Sequence, residues 1–488
     1  METQNLLILI SILMLFCIFA GKYLSRFGVP ILLFFIGIGM FLGSDGLIGI
    51  NYDNPYMTKE IGNIALAFIL FYGGMDFRWK TGKEIIWQGV ALSTAGVLLT
   101  AGAVAAVTCF VTDMTLLEGL LLGAIVSSTD AAAVFSTLRS QKINLKGRLA
   151  ALLEFESGSN DPVAYLLTIV MVGIVADPTN YTAAKVALML TEEIVFAIAV
   201  GALAGYAAVQ ILNRIRFNIE GFYPIFGIAL VVFIYSFTMA IGGNYFLSVY
   251  LAGLIIGNSS FILKMRFIRF FDGQSWLMQI VLFVTLGLQV FPSQLGEVAV
   301  PALIISLTLI LIIRPLMVIP ILSLFKVPIK EQLFVAFVGF RGAASIVFAT
   351  YPLIAGIGVA NQIFNIVFFI ALSSIILQGT TLRPLALKLG LAVKSSSIYE
   401  MKRFNDYADE IDDIHVLGVY VSYESPAVGY RLDEIVMPKD VKVLAIRQHE
   451  KFIIPSHNTR LGIGNRLLLT CMDEEILADF CREMKFDS

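Results

Sequence analysis

The feature that most limits what this chain can become is a long succession of apolar segments. They lie at 5–24, 30–48, 61–76, 86–110, 116–137, 149–175 and 184–212, then at 221–241, 246–262, 270–291, 298–325, 331–353 and 362–382. Each is long enough, or nearly so once polar breaks are allowed, to cross about 30 Å of hydrocarbon. Composition agrees: 58% of the residues are hydrophobic and 14% charged, with a mean hydropathy of +0.84, against roughly 45–50% and about 25% in soluble domains. The expected fold is therefore an all-α polytopic membrane protein of about thirteen transmembrane helices, with the lipid bilayer as its solvent. A formal net charge of -2 argues neither for a nucleic-acid partner nor for a strongly basic membrane footprint, and no nucleic acid polymer is expected as partner. The first apolar run starts at Leu6 without a basic n-region or a small-residue cleavage site, so it reads as a retained span rather than a signal peptide.

Loop charges test that layout independently, because cytoplasmic loops are enriched in Lys and Arg. Lys22 and Arg26 fall in the first loop, Arg78, Lys80 and Lys83 in the third, and Arg139, Lys142, Lys146 and Arg148 in the fifth. Arg214 and Arg216 mark the seventh, Lys264, Arg266 and Arg269 the ninth, and Lys326 and Lys330 the eleventh. The even-numbered loops hold almost only Lys59 and Lys185, with acids such as Asp53, Asp113, Asp177 and Glu297. This alternation predicts an odd number of spans, with the N-terminus outside and the C-terminus in the cytoplasm.

After Leu389 charged residues become frequent. The layout is a transmembrane domain over 1–390, a linker over 391–405 and a small cytoplasmic α+β domain over 406–488. In the last, Ile414–Tyr420, Val441–Arg447, Phe452–Pro455 and Arg466–Thr470 read as short strands and Glu474–Met484 as a helix. Cys17, Cys109, Cys471 and Cys481 show no metal-ligand spacing and read as free thiols. His415, His449 and His457 are scattered surface residues, and no cofactor is expected.

Three spans carry polar groups at mid-depth, where an ionisable side chain costs at least about 2.5–3.5 kcal/mol. The fifth holds Ser127-Ser128-Thr129-Asp130, the kind of sequence an unwound helix needs, because freed backbone groups must find partners. The sixth holds Glu154, Glu156, Ser157, Ser159, Asn160 and Asp161 before Pro162. On a helix Ser157 and Asp161 share one face, while Glu156 and Asn160 share the neighbouring one. The twelfth holds Gly339-Phe340-Arg341-Gly342, and the eleventh adds Arg314-Pro315. Hard carboxylate and hydroxyl oxygens suit an alkali cation or a proton rather than a soft metal. Asp161 is the central candidate: if proton and cation need the same carboxylate, their occupancy is mutually exclusive, which is the simplest basis for obligatory exchange. An unpaired buried guanidinium is prohibitive, so Arg341 is expected to form a structural ion pair with a carboxylate such as Glu156. Spans 1–6 and 8–13 would run in opposite orientation, with their fifth members, 5 and 12, both broken. That is the inverted-repeat plan of many secondary transporters.

These residues resemble the cation/proton antiporters of the NhaP and sodium/proton exchanger type. The matching stretches are Ser-Ser-Thr-Asp-Ala-Ala-Ala-Val-Phe at 127–135, Glu-Ser-Gly-Ser-Asn-Asp-Pro at 156–162, Tyr-Leu-Ala-Gly-Leu-Ile-Ile-Gly-Asn at 250–258 and Gly-Phe-Arg-Gly-Ala-Ala-Ser at 339–345. The resemblance implies electroneutral exchange signalled by Asn160-Asp161, with Asp161 binding ion and proton. It also implies a K⁺ or Na⁺ site completed by Asp130, the Thr129 carbonyl and Ser157, with Ser128, Glu154 and Arg314 as supporting residues. Ala131 follows the Thr-Asp pair where many relatives have Pro, which is similar to the bacterial potassium/proton branch and places K⁺ ahead of Na⁺. The tail resembles an RCK-C (TrkA-C) module through Met437-Pro438-Lys439-Asp440-Val441 and Leu461-Gly462-Ile463-Gly464-Asn465-Arg466-Leu467, although Asn465 stands where Asp is usual. That implies a homodimer and a small nucleotide ligand on residues 406–488. A multi-pass protein of the bacterial cell membrane, and no enzyme, is the resulting expectation. Two other readings compete. An RCK-gated cation channel would need a carbonyl filter such as Thr-Val-Gly-Tyr-Gly, and an intramembrane aspartyl protease using Asp130 and Asp161 would need a Gly-x-Gly-Asp context; the sequence contains neither.

Overall fold

A computed structural model describes residues 3–24, 31–140, 143–145, 147–215, 219–261, 263–394, 415–423, 425–438, 440–448, 451–471 and 474–487. Arg26, Lys142, Lys146, Arg216, His449 and all but the first four residues of the predicted linker lie outside the described residues. The chain divides into two compact units, Met1–Ile262 with Arg266–Val393 and Leu263–Met265 with Lys394–Ser488.

The first unit is helical. In chain order it comprises α1 (Thr3–Leu24), α2 (Ile31–Leu42), α3 (Pro55–Asp76), α4 (Ile86–Val111), α5 (Leu116–Val126), α6 (Ala131–Ser140) and α7 (Gly147–Ala176). There follow α8 (Ala183–Arg214), α9 (Phe222–Ala240), α10 (Tyr245–Gly257), α11 (Lys264–Leu288), α12 (Pro292–Leu324), α13 (Ile329–Phe337), α14 (Ala343–Ile354) and α15 (Ala360–Lys388). Two three-residue strands, β1 (Ile143–Leu145) and β2 (Ala392–Lys394), are also present. Among the described residues seven helices are long and apolar enough to cross a membrane, and the pair α5–α6, bent by 41°, makes an eighth. Helices α2, α10 and α14 are shorter apolar segments.

Local chemistry sets several starts. Asn54 caps α3 by accepting from the Met57 N–H at 3.0 Å, and Pro55 takes the first helical position, where its missing N–H costs nothing. This pair carries α3 past Lys59 and Glu60, about a turn and a half beyond the apolar window. Thr115 and Glu118 form a reciprocal capping box at α5, and Asn244 caps α10 through the Leu247 N–H at 3.0 Å. Small residues then let backbones approach, the usual device where lipid removes any hydrophobic drive between helices. A Cβ on Gly253 of α10 would lie 2.3 Å from the Phe71 carbonyl oxygen of α3, and one on Gly257 would lie 2.2 Å from that of Met75.

Two helical runs break where hydroxyl-rich or Gly-rich sequence replaces aliphatic residues. Ser127–Asp130 separates α5 from α6, and Val338–Gly342 separates α13 from α14. The breaks meet: the Asp130 N–H donates to the Phe340 carbonyl at 2.9 Å. Backbone groups freed by one interruption are thus satisfied by the other.

The second unit holds a five-stranded antiparallel sheet ordered β5-β4-β6-β3-β7, with β3 His415–Val421, β4 Lys442–Gln448, β5 Lys451–Ile453, β6 Arg466–Cys471 and β7 Phe486–Asp487. Helix α16 (Glu474–Glu483) contributes Leu477, Phe480 and Cys481 to a core with Val419, Val421, Ile446, Leu467 and Leu469. The expected strands and helix appear within one or two residues; β7 is an addition, too short for any period to reveal. Asn465 accepts from the Gly462 N–H at 2.8 Å and from Gln448 at 2.9 Å, beside Gly464 at φ +76°. Its side chain therefore closes its own turn. All four cysteines are free.

Candidate functional site

Helix α7 presents its polar residues to the break between α5 and α6. Pro162 has no N–H for the preceding turn, and Asn244 of α10 donates to the Pro162 carbonyl at 2.9 Å, tying this part of the helix to its neighbour. The Ser157 hydroxyl donates to the Thr129 carbonyl at 2.7 Å while accepting from the Ala131 N–H at 2.9 Å, so it replaces the helical bonds missing at the break. Asn160 donates to the Thr129 hydroxyl at 2.5 Å and accepts from the Thr129 N–H at 3.4 Å. Ser128 donates to Asp161 at 2.5 Å. The predicted group of Asp161, Asp130, Thr129, Ser157, Asn160 and Ser128 is thus brought together in space.

The two aspartates are held differently. Asp130 accepts from the Ala133 N–H at 3.0 Å, and its carboxylate is stabilised besides by the nearby N–H groups of Ala132 and Ala343. It therefore caps the N-termini of α6 and α14 at once, where helix dipoles favour an anion. No side chain intervenes: a Cβ on Gly342 would lie 1.9 Å from Asp130 Oδ2. Asp161 accepts from one hydroxyl, that of Ser128, and otherwise faces a cavity lined also by Asp130, Ser157, Glu154, Asp76 and Asp272. Glu154 stands on the cavity wall as a supporting residue would. Asp76 and Asp272 were not among the expected site residues; an acid inside the apolar run of α11 was the available signal for Asp272.

The expected Glu156–Arg341 pair is corrected. Glu156 Oε1 accepts from both Nη1 and Nη2 of Arg314 at 2.8 Å each, with both side chains buried. Gly339 explains the choice, because a Cβ there would sit 2.5 Å from Arg314 Nε: the missing side chain leaves the Arg314 guanidinium its path to Glu156. Arg341 instead donates through Nη1 to the Ser128 carbonyl at 2.9 Å, satisfying the first break from the second. Its Nε and Nη2 find no partner among the described residues. Arg314, expected only in support, is the counter-ion.

Interrupted helices that meet at buried carboxylates beside a cavity define a multi-pass secondary transporter. The family described as sodium/hydrogen exchanger, transmembrane, matches residues 10–388. The chain is 37% identical over 474 residues to a protein of Alkalimonas amylolytica named K(+)/H(+) antiporter NhaP, covering 96% of this chain and 82% of that one. It is 32% identical over 456 residues to the K(+)/H(+) antiporter NhaP2 of Shewanella baltica, covering 93% and 78%. Among solved structures it is similar to the sodium proton antiporter MjNhaP1 of Methanocaldococcus jannaschii, with a TM-score of 0.68, 25% identity and coverage of 80% of this chain and 99% of that one. The chain belongs to the sodium/hydrogen exchanger family. It is a multi-pass membrane transporter of the monovalent cation/proton antiporter class, not an enzyme.

Proposed function

We propose that this chain exchanges K⁺ for H⁺ electroneutrally, with Na⁺ as the next cation, and that cation and proton compete for Asp161. The observation that carries the reading is the unequal tethering of two carboxylates beside one cavity: Asp130 is fixed by backbone donors of two helices, whereas Asp161 is held by a single rotatable hydroxyl. A fixed carboxylate is a permanent anionic ligand. A loosely held one can give up its proton or its cation. Ser157, the Thr129 carbonyl and Asp130 complete the oxygen set, Asn160 orients Thr129, and the Glu156–Arg314 pair supports the crossing. K⁺ is favoured over Na⁺ by the names of the relatives above and by Ala131 after the Thr-Asp pair.

The same reading counts thirteen spans, taking α1, α2, α3, α10 and α13–α14 as membrane-crossing beside the seven long helices and the bent pair, in two inverted halves. It places the N-terminus outside and the sheet-bearing unit in the cytoplasm, where an RCK-C module over residues 406–488 would bind a small nucleotide, regulate exchange and join two copies of the chain in the bacterial cell membrane. Proteoliposomes holding the purified chain test the core of the proposal with K⁺, Na⁺ and Li⁺ in turn. A cation gradient should dissipate ΔpH without generating a membrane potential, and Asp161→Ala should abolish this. Full activity in Asp161→Ala, or net charge movement, would remove the basis of the assignment.

A further inference from the structure

The cavity reaches Asp161 from one direction. Along α7 it is lined by Glu154, Ser157, Gly158 and Asp161, and along α3 by residues from Ile69 to Asp76. In the other direction, one turn or about 6 Å past Asp161 at 1.5 Å per residue, stands Tyr165. Its ring lies 5.1 Å from those of Tyr245 and Phe246, 5.9 Å from Tyr351 and 6.0 Å from Phe348, centroid to centroid. Tyr165 at 8%, Tyr245 at 5% and Phe246 and Phe348 at 0% are buried, and Tyr351 is partly exposed at the edge of the cluster. Rings packed this closely leave no passage for a cation.

Polar groups run through this plug. The hydroxyls of Tyr245 and Tyr351 are hydrogen bonded to each other at 2.9 Å. Asn63 of α3 donates to the Tyr351 hydroxyl at 2.9 Å and to that of Tyr245 at 3.4 Å. The plug thus fastens α10 to α3 and to α14, the half-helix whose N-terminus Asp130 caps. A purely structural core would not require three phenol and amide groups to converge. Beyond it the Lys59 ammonium, paired with Glu60 at 2.9 Å, lies 5.7 Å from the Tyr351 ring centroid and 4.9 Å from that of Tyr56.

We propose that Tyr165, Tyr245, Tyr351 and Asn63 form the gate that closes the ion path on the side away from the cavity. Each exchange cycle breaks the Tyr245–Tyr351–Asn63 hydrogen bonds and swings Tyr165 aside. The inference rests on the antiport reading, and its test separates the two. In the full chain with Cys17, Cys109, Cys471 and Cys481 replaced by Ser, Ala132→Cys places a thiol on the cavity wall. A membrane-impermeant maleimide added on the cavity side should label it. Added on the opposite face, the reagent should label the parent slowly, at a rate limited by gate opening, and at least about fivefold faster when Tyr165→Ala is also present, while Tyr165→Phe, which keeps the ring, should stay as slow as the parent. In proteoliposomes Tyr245→Phe/Tyr351→Phe should speed exchange about fivefold, since removing hydrogen bonds of the closed state shifts the balance towards opening. Equally fast labelling from the opposite face with and without the Tyr165 change, or none in a folded Tyr165→Ala protein, would overturn the gate. Loss of all exchange in the parent protein would instead overturn the antiport reading, leaving the labelling result to stand by itself.

Discussion

The assignment of Arg314 rather than Arg341 as the partner of Glu156 makes a quantitative demand. Both guanidinium groups are buried and both lie within electrostatic reach of this carboxylate, but only Arg314 has two nitrogens at 2.8 Å from Oε1. Breaking a buried pair from one side costs about 3–5 kcal/mol, because the remaining charge is left uncompensated. Hydrogen bonds involving a charged group account for about 1.5–3 kcal/mol each. Glu156→Gln and Arg314→Gln should therefore each lower stability severely, while the double variant should cost little more than either single one. A coupling energy of about 3–4 kcal/mol follows, nearly the cost of one single variant and at or just above the upper end of the range for directly interacting residues. The matching cycle with Arg341→Gln should be nearly additive, since Arg341 bonds to a carbonyl of the broken segment and not to Glu156. Reversible unfolding of the purified protein in mixed micelles, followed by tryptophan fluorescence, measures all four corners of each cycle. A larger coupling for Arg341 than for Arg314, or additivity in both cycles, would refute the argument.

Two further expectations concern single groups. Gly342→Ala would place a methyl 1.9 Å from Asp130 Oδ2, so the carboxylate must leave its double cap, and cation exchange should fall by at least about tenfold, as for loss of a directly bonded charged group; near-normal exchange would show that the cap is dispensable. In the sheet-bearing unit, burial pushes the Cys481 thiol up to about 11. Thiolate is the reactive form, so Cys481 should resist maleimide at neutral pH in the folded protein, become more reactive only as pH rises towards that value, and react readily once denatured. Rapid labelling at pH 7 would contradict the packing around Leu477 and Phe480.

Legibility in the sequence followed the cost of burial. Ser128, Thr129, Asp130, Ser157, Asn160 and Asp161 stood out because hydroxyl and carboxylate groups inside apolar runs demand partners, and the structure supplies those partners from one another. The two helix breaks were visible for the same reason. The counter-ion was not, because Arg314 and Arg341 are equally conspicuous as cations and their choice depends on the absent side chain of Gly339, a three-dimensional fact. The start of α3 was also hidden: Lys59 and Glu60 look like loop residues until Asn54 and Pro55 are seen to set the helix going ahead of them. Tyr165, Tyr245 and Tyr351 gave no signal in the sequence, since an amphipathic ring fits an apolar pattern whatever its hydroxyl does.

The double cap on Asp130 has a mechanical consequence. Its carboxylate and its N–H fasten α6 to the α13–α14 break, Arg341 fastens that break back to Ser128, and Ser157 and Asn160 lash the α5–α6 break to α7. The crossing is a knot tied by its own functional groups, with few loose torsions for a ligand to pull on. Motion that exposes the ion to alternate sides must therefore occur at the rim of this knot, with the knot carried along whole, and the stiffness that positions the oxygens is the same stiffness that would transmit such a movement.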